Sequence, residues 1–215
     1  MLAGLGLAGV DAVLADLGVS SMQLDDPARG FTFKTDSPLD LRLNPARAPS
    51  GAEWLVRVSA ADLATAFTEN SDEPYAELLA RELTARRAQK PLTRTLQLAD
   101  AIRAILREHA PRQDPETIDD SVRRVFQAIR IAVNDEFGVL DLFLRQLPTC
   151  LKPGGRVAIL TFHSGEDRRV KQAFRAGMRD GIYRATNDEV VRAGPEERRA
   201  NPRSSSAKLR WAIRA

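Results

Sequence analysis

The chain has 215 residues, 43% hydrophobic and 28% charged, which excludes a disordered polyelectrolyte and suits one domain, or one domain with an insertion. Its single cysteine, Cys150, excludes an internal disulfide and a multi-cysteine zinc site and fits a reducing compartment, with the thiol expected as a small buried apolar group at a helix end. Net charge is +3, but Arg168 to Ala215 carries 13 Lys/Arg against 5 Asp/Glu, so that segment stands near +8 and the rest near −5; it forms either a polyanion-binding end or a solvated arginine-rich face.

The opening "MLAGLGLAGV" has no Lys or Arg before its short apolar stretch, which argues against a signal peptide. No later run approaches the roughly 20 apolar residues of a membrane span, so a cytoplasmic protein without membrane contact is expected. Residues 10–16 form an apolar run ending at Asp16, the pattern of a strand buried on both faces of a parallel sheet. The chain then turns polar in "LGVSSMQLDDPARGF".

Residues 46–120 change character: "SAADLATAF", "EPYAELLARELTARRAQ" and "TLQLADAIRAILREH" each fit an amphipathic helix, with Ser59 and Thr95 as candidate caps and Pro91 and Pro111 as breaks. From Val122 to Leu144 apolar residues recur at helical spacing, with Asp119, Asp120 or Ser121 as caps, Gly138 as a candidate break, and Pro148 with Pro153-Gly154-Gly155 as the stop. A second apolar strand, "GGRVAILTFHS" (154–164), leads into a helix for which Ser164 is the candidate cap. Leu209, Trp211 and Ile213 alternate with Lys208, Arg210 and Arg214, which predicts a half-exposed closing strand. The fold class is therefore α/β: a core from residues 1–45 and 121–215, interrupted by a helical insertion over 46–120.

In open α/β sheets ligands sit beyond the carboxyl ends of the strands, where Asp16 and His163 both fall. A lone histidine there serves either chemistry or local structure. The motif His163-x-x-Glu166 does not suggest a metal site, because no second His or Cys lies within ligand distance along the chain.

Four segments now become specific: "DAVLADLGVSSMQLDDPARGFTFKTDSPLDLRLNP", "FQAIRIAVNDEF", "LKPGGRVAILTFHSGEDRRVK" and "NPRSSSAKLR". In this order they closely resemble segments of the MraW family, S-adenosyl-L-methionine-dependent methyltransferases of the N4 amino group of a cytidine in small-subunit ribosomal RNA. The resemblance implies a Rossmann-like class I methyltransferase core, with Asp16 and Gln23 as cofactor contacts and Asp16 and His163 as catalytic candidates. From the residues themselves, Ser20 and Ser21 can offer hydroxyls to a cofactor and a nucleotide, Phe31 or Phe33 can stack on a base, and Arg203, Lys208 and Arg210 are phosphate partners or exposed strand-edge charges. Asp16 alternatively only ties down its turn, and Phe31 and Phe33 pack against the inserted helices. The family carries a leucine where Gly165 stands.

Family members also carry a glycine-rich G-x-G-G-H-S-like loop after their first strand and an acid ending the second, and this chain contains neither; Gly4, Gly6 and Gly9 lead into a later strand and do not substitute. The chain thus resembles the C-terminal two-thirds of such an enzyme. Weak cofactor binding or none is expected of it, and the first strand is expected to be an apolar edge prone to association, a homodimer included. The rivals are a non-catalytic RNA-binding remnant and a truncated reading frame with no function of its own; the expected partner is small-subunit RNA or the ribosomal subunit.

Overall fold

A computed structural model describes Gly4, residues 6–46 and residues 48–215, with only the backbone described at Ser21 and Asp25. In chain order the elements are β1 (Val10–Asp16), α1 (Ser21–Asp25), a 3-10 turn (Pro27–Arg29), α2 (Gly51–Arg57), α3 (Ala60–Ser71), α4 (Ala76–Gln89), α5 (Thr95–His109) and α6 (Pro115–Asn134). There follow α7 (Glu136–Cys150), β2 (Leu151–Thr161), α8 (Ser164–Arg179), β3 (Tyr183–Thr186), β4 (Val191–Arg192), α9 (Pro195–Ala200), a second 3-10 turn (Pro202–Ser206) and β5 (Lys208–Arg214).

These elements form two compact units, one of residues 1–18 and 137–215 and the other of residues 19–136. The helical unit is thus larger than the 46–120 expected from sequence. The reason is where the apolar side chains go: Leu39, Leu41, Val122, Val125 and Ile129 are all buried in one core with the inserted helices. Residues 19–45 and α6 therefore belong to that core.

In the sheet unit the strand order is β1-β2-β5-β3, with β4 also pairing β5. β1 and β2 are parallel, and β5 runs antiparallel to β2 and β3. Leu140, Leu144 and Leu147 of α7 and Val170 and Phe174 of α8 bury Val157, Ile159 and Ala212 on one face. β1 is less covered than its composition predicts: Leu14 is 72% exposed, because among the described residues β1 has a strand on one side only and helices on one face only.

β2 begins three residues earlier than expected. The "KPGG" run is a bulge inside the strand, since β1 advances from Val10 to Ala12 while β2 advances from Leu151 to Arg156. Pro153, which lacks an N–H, is tolerated there. Pro148 does not stop α7, which continues to the half-buried Cys150.

In the helical unit Ser59 caps α3 as expected, its hydroxyl accepting from the Asp62 amide at 3.0 Å. Thr95 is instead the buried first residue of α5; its hydroxyl donates to the Thr35 carbonyl at 2.9 Å and accepts from the Ser37 amide at 3.0 Å. α6 starts earlier than expected, capped by Asp114, whose carboxylate accepts from the Thr117 amide at 2.9 Å. The break between α6 and α7 falls at Asp135 (φ 49°), ahead of Gly138. Asn134 fixes it: its side chain donates to the carbonyls of Leu41 at 2.7 Å and Arg130 at 2.8 Å and accepts from the Leu43 amide at 2.6 Å.

Glu73 is the buried carboxylate of this unit. Its Oε1 accepts from the Tyr75 amide and the Ser121 hydroxyl, both at 3.0 Å, while Oε2 stands 3.8 Å from Arg124 without a hydrogen-bond partner among the described residues. Burial pushes this carboxyl above its usual range, against the pull of those two bonds and the Arg124 charge. A raised folded-state pKa contributes stability below the unfolded value and loses it as pH rises through the folded value. Glu73→Gln cannot ionise, so its thermal midpoint relative to wild type is expected to climb between pH 4 and pH 8; a pH-independent difference in thermal melts overturns this assignment.

Candidate functional site

Asp16 closes β1 opposite Leu160. The pairing continues one residue further, with the Leu17 amide donating to the Leu160 carbonyl at 3.1 Å. Gly18 then adopts φ 94°, a conformation that side-chain-bearing residues avoid, and turns the chain away from the sheet. Asp16 is exposed, and its carboxylate makes no hydrogen bond or ion pair among the described residues. A strand end thus presents an unspent acceptor to solvent at the carboxyl edge of a parallel pair.

His163 follows β2 at the same edge but is differently employed. It, and not Ser164, caps α8: its side chain accepts from the Glu166 amide, with Nδ1 3.5 Å away. That acceptor role assigns the proton to Nε2, which is buried 3.3 Å from Glu166 Oε1. Glu166 Oε2 in turn accepts from the Phe162 amide at 2.8 Å. The Nδ1 of His163 therefore serves the start of its own helix, while Nε2 is buried without a hydrogen-bond partner among the described residues.

The Phe137 ring lies 5.8 Å from the imidazole, centroid to centroid, with the Arg169 guanidinium 3.9 Å from the Phe137 centroid. A Cβ at Gly165 would meet Phe137 Cζ at 2.5 Å. Phe137 therefore occupies the space that a larger residue at 165 would need.

Arg210 and Lys208 are not exposed edge charges. β5 is an interior strand, and Arg210, 6% exposed, binds Asp167 of α8 through Nε at 2.6 Å and Nη2 at 3.3 Å. Lys208 Nζ stands 3.6 Å from the same carboxylate. Burial raises the Asp167 pKa, but the Arg210 hydrogen bonds and the charges of Arg210 and Lys208 outweigh it and hold the carboxyl below its usual range. Both cations are spent inside the fold, whereas Arg203 is exposed on the second 3-10 turn.

In the helical unit, Ser20 and Gln23 form a capping box: the Gln23 amide donates to Ser20 Oγ at 3.3 Å and the Ser20 amide donates to Gln23 Oε1 at 2.9 Å. The box consumes the Gln23 side-chain oxygen and leaves its amide nitrogen without an acceptor among the described residues. The Ser21 side chain lies outside the described residues. Phe31 is half-buried against the helical core with Arg29 over its ring at 5.7 Å, and Phe33 packs on Phe126 at 5.3 Å. Both phenylalanines are half-buried against the helical core. No group of His, Cys, Asp and Glu among the described residues could hold a metal ion.

The whole chain, residues 1–215, matches the model of the MraW methylase family. The chain belongs to that family. It is 50% identical over 206 residues to the ribosomal RNA small subunit methyltransferase H 1 of Lachnoclostridium phytofermentans, covering 95% of this chain and 56% of the relative. It is also 50% identical over 209 residues to the protein of that name from Agathobacter rectalis, covering 96% and 60%. The ribosomal RNA small subunit methyltransferase H of Acidithiobacillus ferrooxidans is 45% identical over 228 residues, covering all of this chain and 69% of its own length. The chain spans less than two-thirds of the length of the first two relatives.

Within this MraW chain, sequence reasoning missed the roles of Asp167 and Asn134. Each sits inside a segment that carries the family resemblance, but as a helix-start acid or a helix-end amide it carries no local signal of its distant partner. Breaking the Asp167 pair strands a buried guanidinium, so Asp167→Ala is expected to cost roughly 3 kcal/mol in urea unfolding. Because the Asp167 pKa is lowered, the pair's contribution is present above the unfolded carboxylate value and lost as pH falls through the folded value. An Asp167→Ala penalty that persists unchanged at pH 3 overturns the ion-pair account.

Proposed function

We propose that this chain supplies the acceptor-presenting part of an S-adenosyl-L-methionine-dependent methyltransferase acting on the N4 amino group of a cytidine in small-subunit ribosomal RNA. The observation that carries this reading is Asp16, exposed at the carboxyl end of β1 and without a partner among the described residues, in a chain whose relatives are named ribosomal RNA small subunit methyltransferases. No helix among the described residues is long and apolar enough to cross a membrane, which supports a cytoplasmic enzyme working on RNA or the ribosomal subunit.

The residues present fit such a cofactor. In the sheet unit the exposed Asp16 carboxylate, without a hydrogen bond among the described residues, suits a cationic ligand; in the helical unit the Gln23 amide nitrogen, without an acceptor among the described residues, is a donor. When bound, S-adenosyl-L-methionine supplies an electrophilic methyl group on a sulfonium sulfur. The exocyclic amine of cytosine is a poor nucleophile because its lone pair is delocalised into the ring. Asp16 accepts an N–H of that amine, turns the lone pair out of conjugation and stabilises the positive charge that develops on nitrogen. The departing proton passes to solvent. Gly18 lets the chain leave the sheet one residue after the last paired position, Leu17.

Calorimetric titration of the chain with S-adenosyl-L-methionine tests the assignment. Weak saturable binding is expected, lowered about tenfold or more in Asp16→Ala, as for loss of a charge-assisted bond. Binding indifferent to Asp16→Ala removes Asp16 from the site.

A second reading, an RNA-binding remnant without methyl transfer, is favoured by the exposed Arg184, Arg192, Arg198 and Arg199 of the basic C-terminal segment. It predicts RNA affinity that falls steeply with salt, and a log–log salt slope shallower by roughly 1.5 in the Arg198→Glu, Arg199→Glu double variant. Filter binding across a salt series decides it, and an unchanged slope excludes these arginines as phosphate contacts.

A further inference from the structure

Phe162 is the one phenylalanine that the fold leaves uncommitted among the described residues. It is half-buried, packs in neither apolar core and pairs with no other ring or guanidinium, whereas each of the others sits in a core or, as Phe137 does, lies against His163 and Arg169. Its place is the carboxyl edge of the sheet unit: Phe162 follows β2 directly, and Gly18 follows the last paired residue, Leu17. Phe162 Cδ2 lies 3.8 Å from the point where a Cβ on Gly18 would stand, and nothing else outside the chain neighbours of Gly18 comes within 4 Å of that point. The ring therefore stands beside exposed backbone that carries no side chain.

Two constraints suit this ring to a flat ligand. Its backbone is fixed, because the Phe162 amide donates to Glu166 Oε2 at 2.8 Å and Glu166 is itself only 5% exposed in the first turn of α8. An aromatic side chain on a fixed backbone has two torsions left to order, so it offers a large contact area at little entropic cost. Asp16 is also close: two residues of extended chain span at most about 7 Å between Cα atoms, which puts its carboxylate and the ring beside Gly18 within reach of one small heterocycle. The ring supplies a π-face for stacking, and the carboxylate supplies an acceptor for an N–H. A planar heterocycle with an exocyclic amino group answers both, while a bare phosphate answers neither.

We infer that Phe162 is the stacking platform for the target base of a single-stranded RNA, holding the cytosine so that its amino group meets Asp16. Bases drawn out of a stack are held in this way, by a flat side chain on one face and hydrogen bonds at the edge. The choice of cytosine rests on the methyltransferase reading, which gives Asp16 the N–H of the cytosine amine and so gives the ring beside it to the same base. Phe31 and Phe33, the rings expected from sequence to stack, are half-buried against the helical core. Phe162 escapes a sequence reading because it looks like the last apolar residue of its strand.

The test uses two ligands, a short ribose-phosphate strand abasic except for one central cytidine and the same strand abasic throughout, with binding to the 215-residue chain read by anisotropy of an end label. The cytidine strand is expected to bind more tightly. Phe162→Leu, which keeps an apolar side chain but removes the π-face, is expected to lower affinity for the cytidine strand about tenfold and to leave the abasic strand unaffected. Phe162→Tyr, which restores the ring, keeps the preference for cytidine. A wild-type chain that does not distinguish the two strands overturns the inference, as does an equal loss on both strands in Phe162→Leu. A Phe162→Leu loss confined to calorimetric titration with S-adenosyl-L-methionine also overturns it, and assigns the ring to the adenine of that cofactor. Cytidine preference that depends on Phe162, in a chain that binds no S-adenosyl-L-methionine, counts against the proposed activity and leaves the platform standing. Cofactor binding sensitive to Asp16→Ala, beside a cytidine preference indifferent to Phe162→Leu, overturns the platform alone.

Discussion

The parallel ladder of Ala12–Asp16 on Arg156–Leu160 is the constraint on which the sheet unit depends. It joins two segments separated in sequence by the whole helical unit, so its closure entropy must be met by packing. That packing comes from one side: α7 and α8 bury Val157, Ile159 and Ala212 beneath Leu144, Val170 and Phe174. Parallel strands also finish at one edge. Asp16 and the start of α8 therefore lie at the same end of the sheet.

One-sided cover explains why β5 carries its charges inward. Lys208 and Arg210 point to the helix-covered face, where Asp167 receives them, and Leu209, Trp211 and Ile213 point to the bare one. An alternating apolar and basic strand normally hides its apolar side. Here the buried guanidinium is tolerated because a bidentate carboxylate answers it, while the apolar row of Leu209, Trp211 and Ile213 is half-buried.

The same accounting of donors and acceptors separates the candidate residues. Nδ1 of His163 and the oxygen of Gln23 are committed to helix starts, and Arg210 is committed to Asp167. Nε2 of His163 is buried without a hydrogen-bond partner, and the exposed Asp16 carboxylate has none, among the described residues.

The sequence by itself determined the α/β class, both strands of the parallel pair, the helical character of the insertion and the family, since hydrophobic period and local motifs are properties of neighbouring residues. It also located Asp16, because an acid followed by a glycine at the end of an apolar run is a local signal. Only the tertiary structure decided that α6 and residues 19–45 belong to the helical core, that Asn134 sets the break at Asp135, that Asp167 holds Arg210, and that Leu14 is open to solvent. Each of these depends on a partner far away in the chain, and neither periodicity nor charge pattern records which distant side chain a buried group will meet.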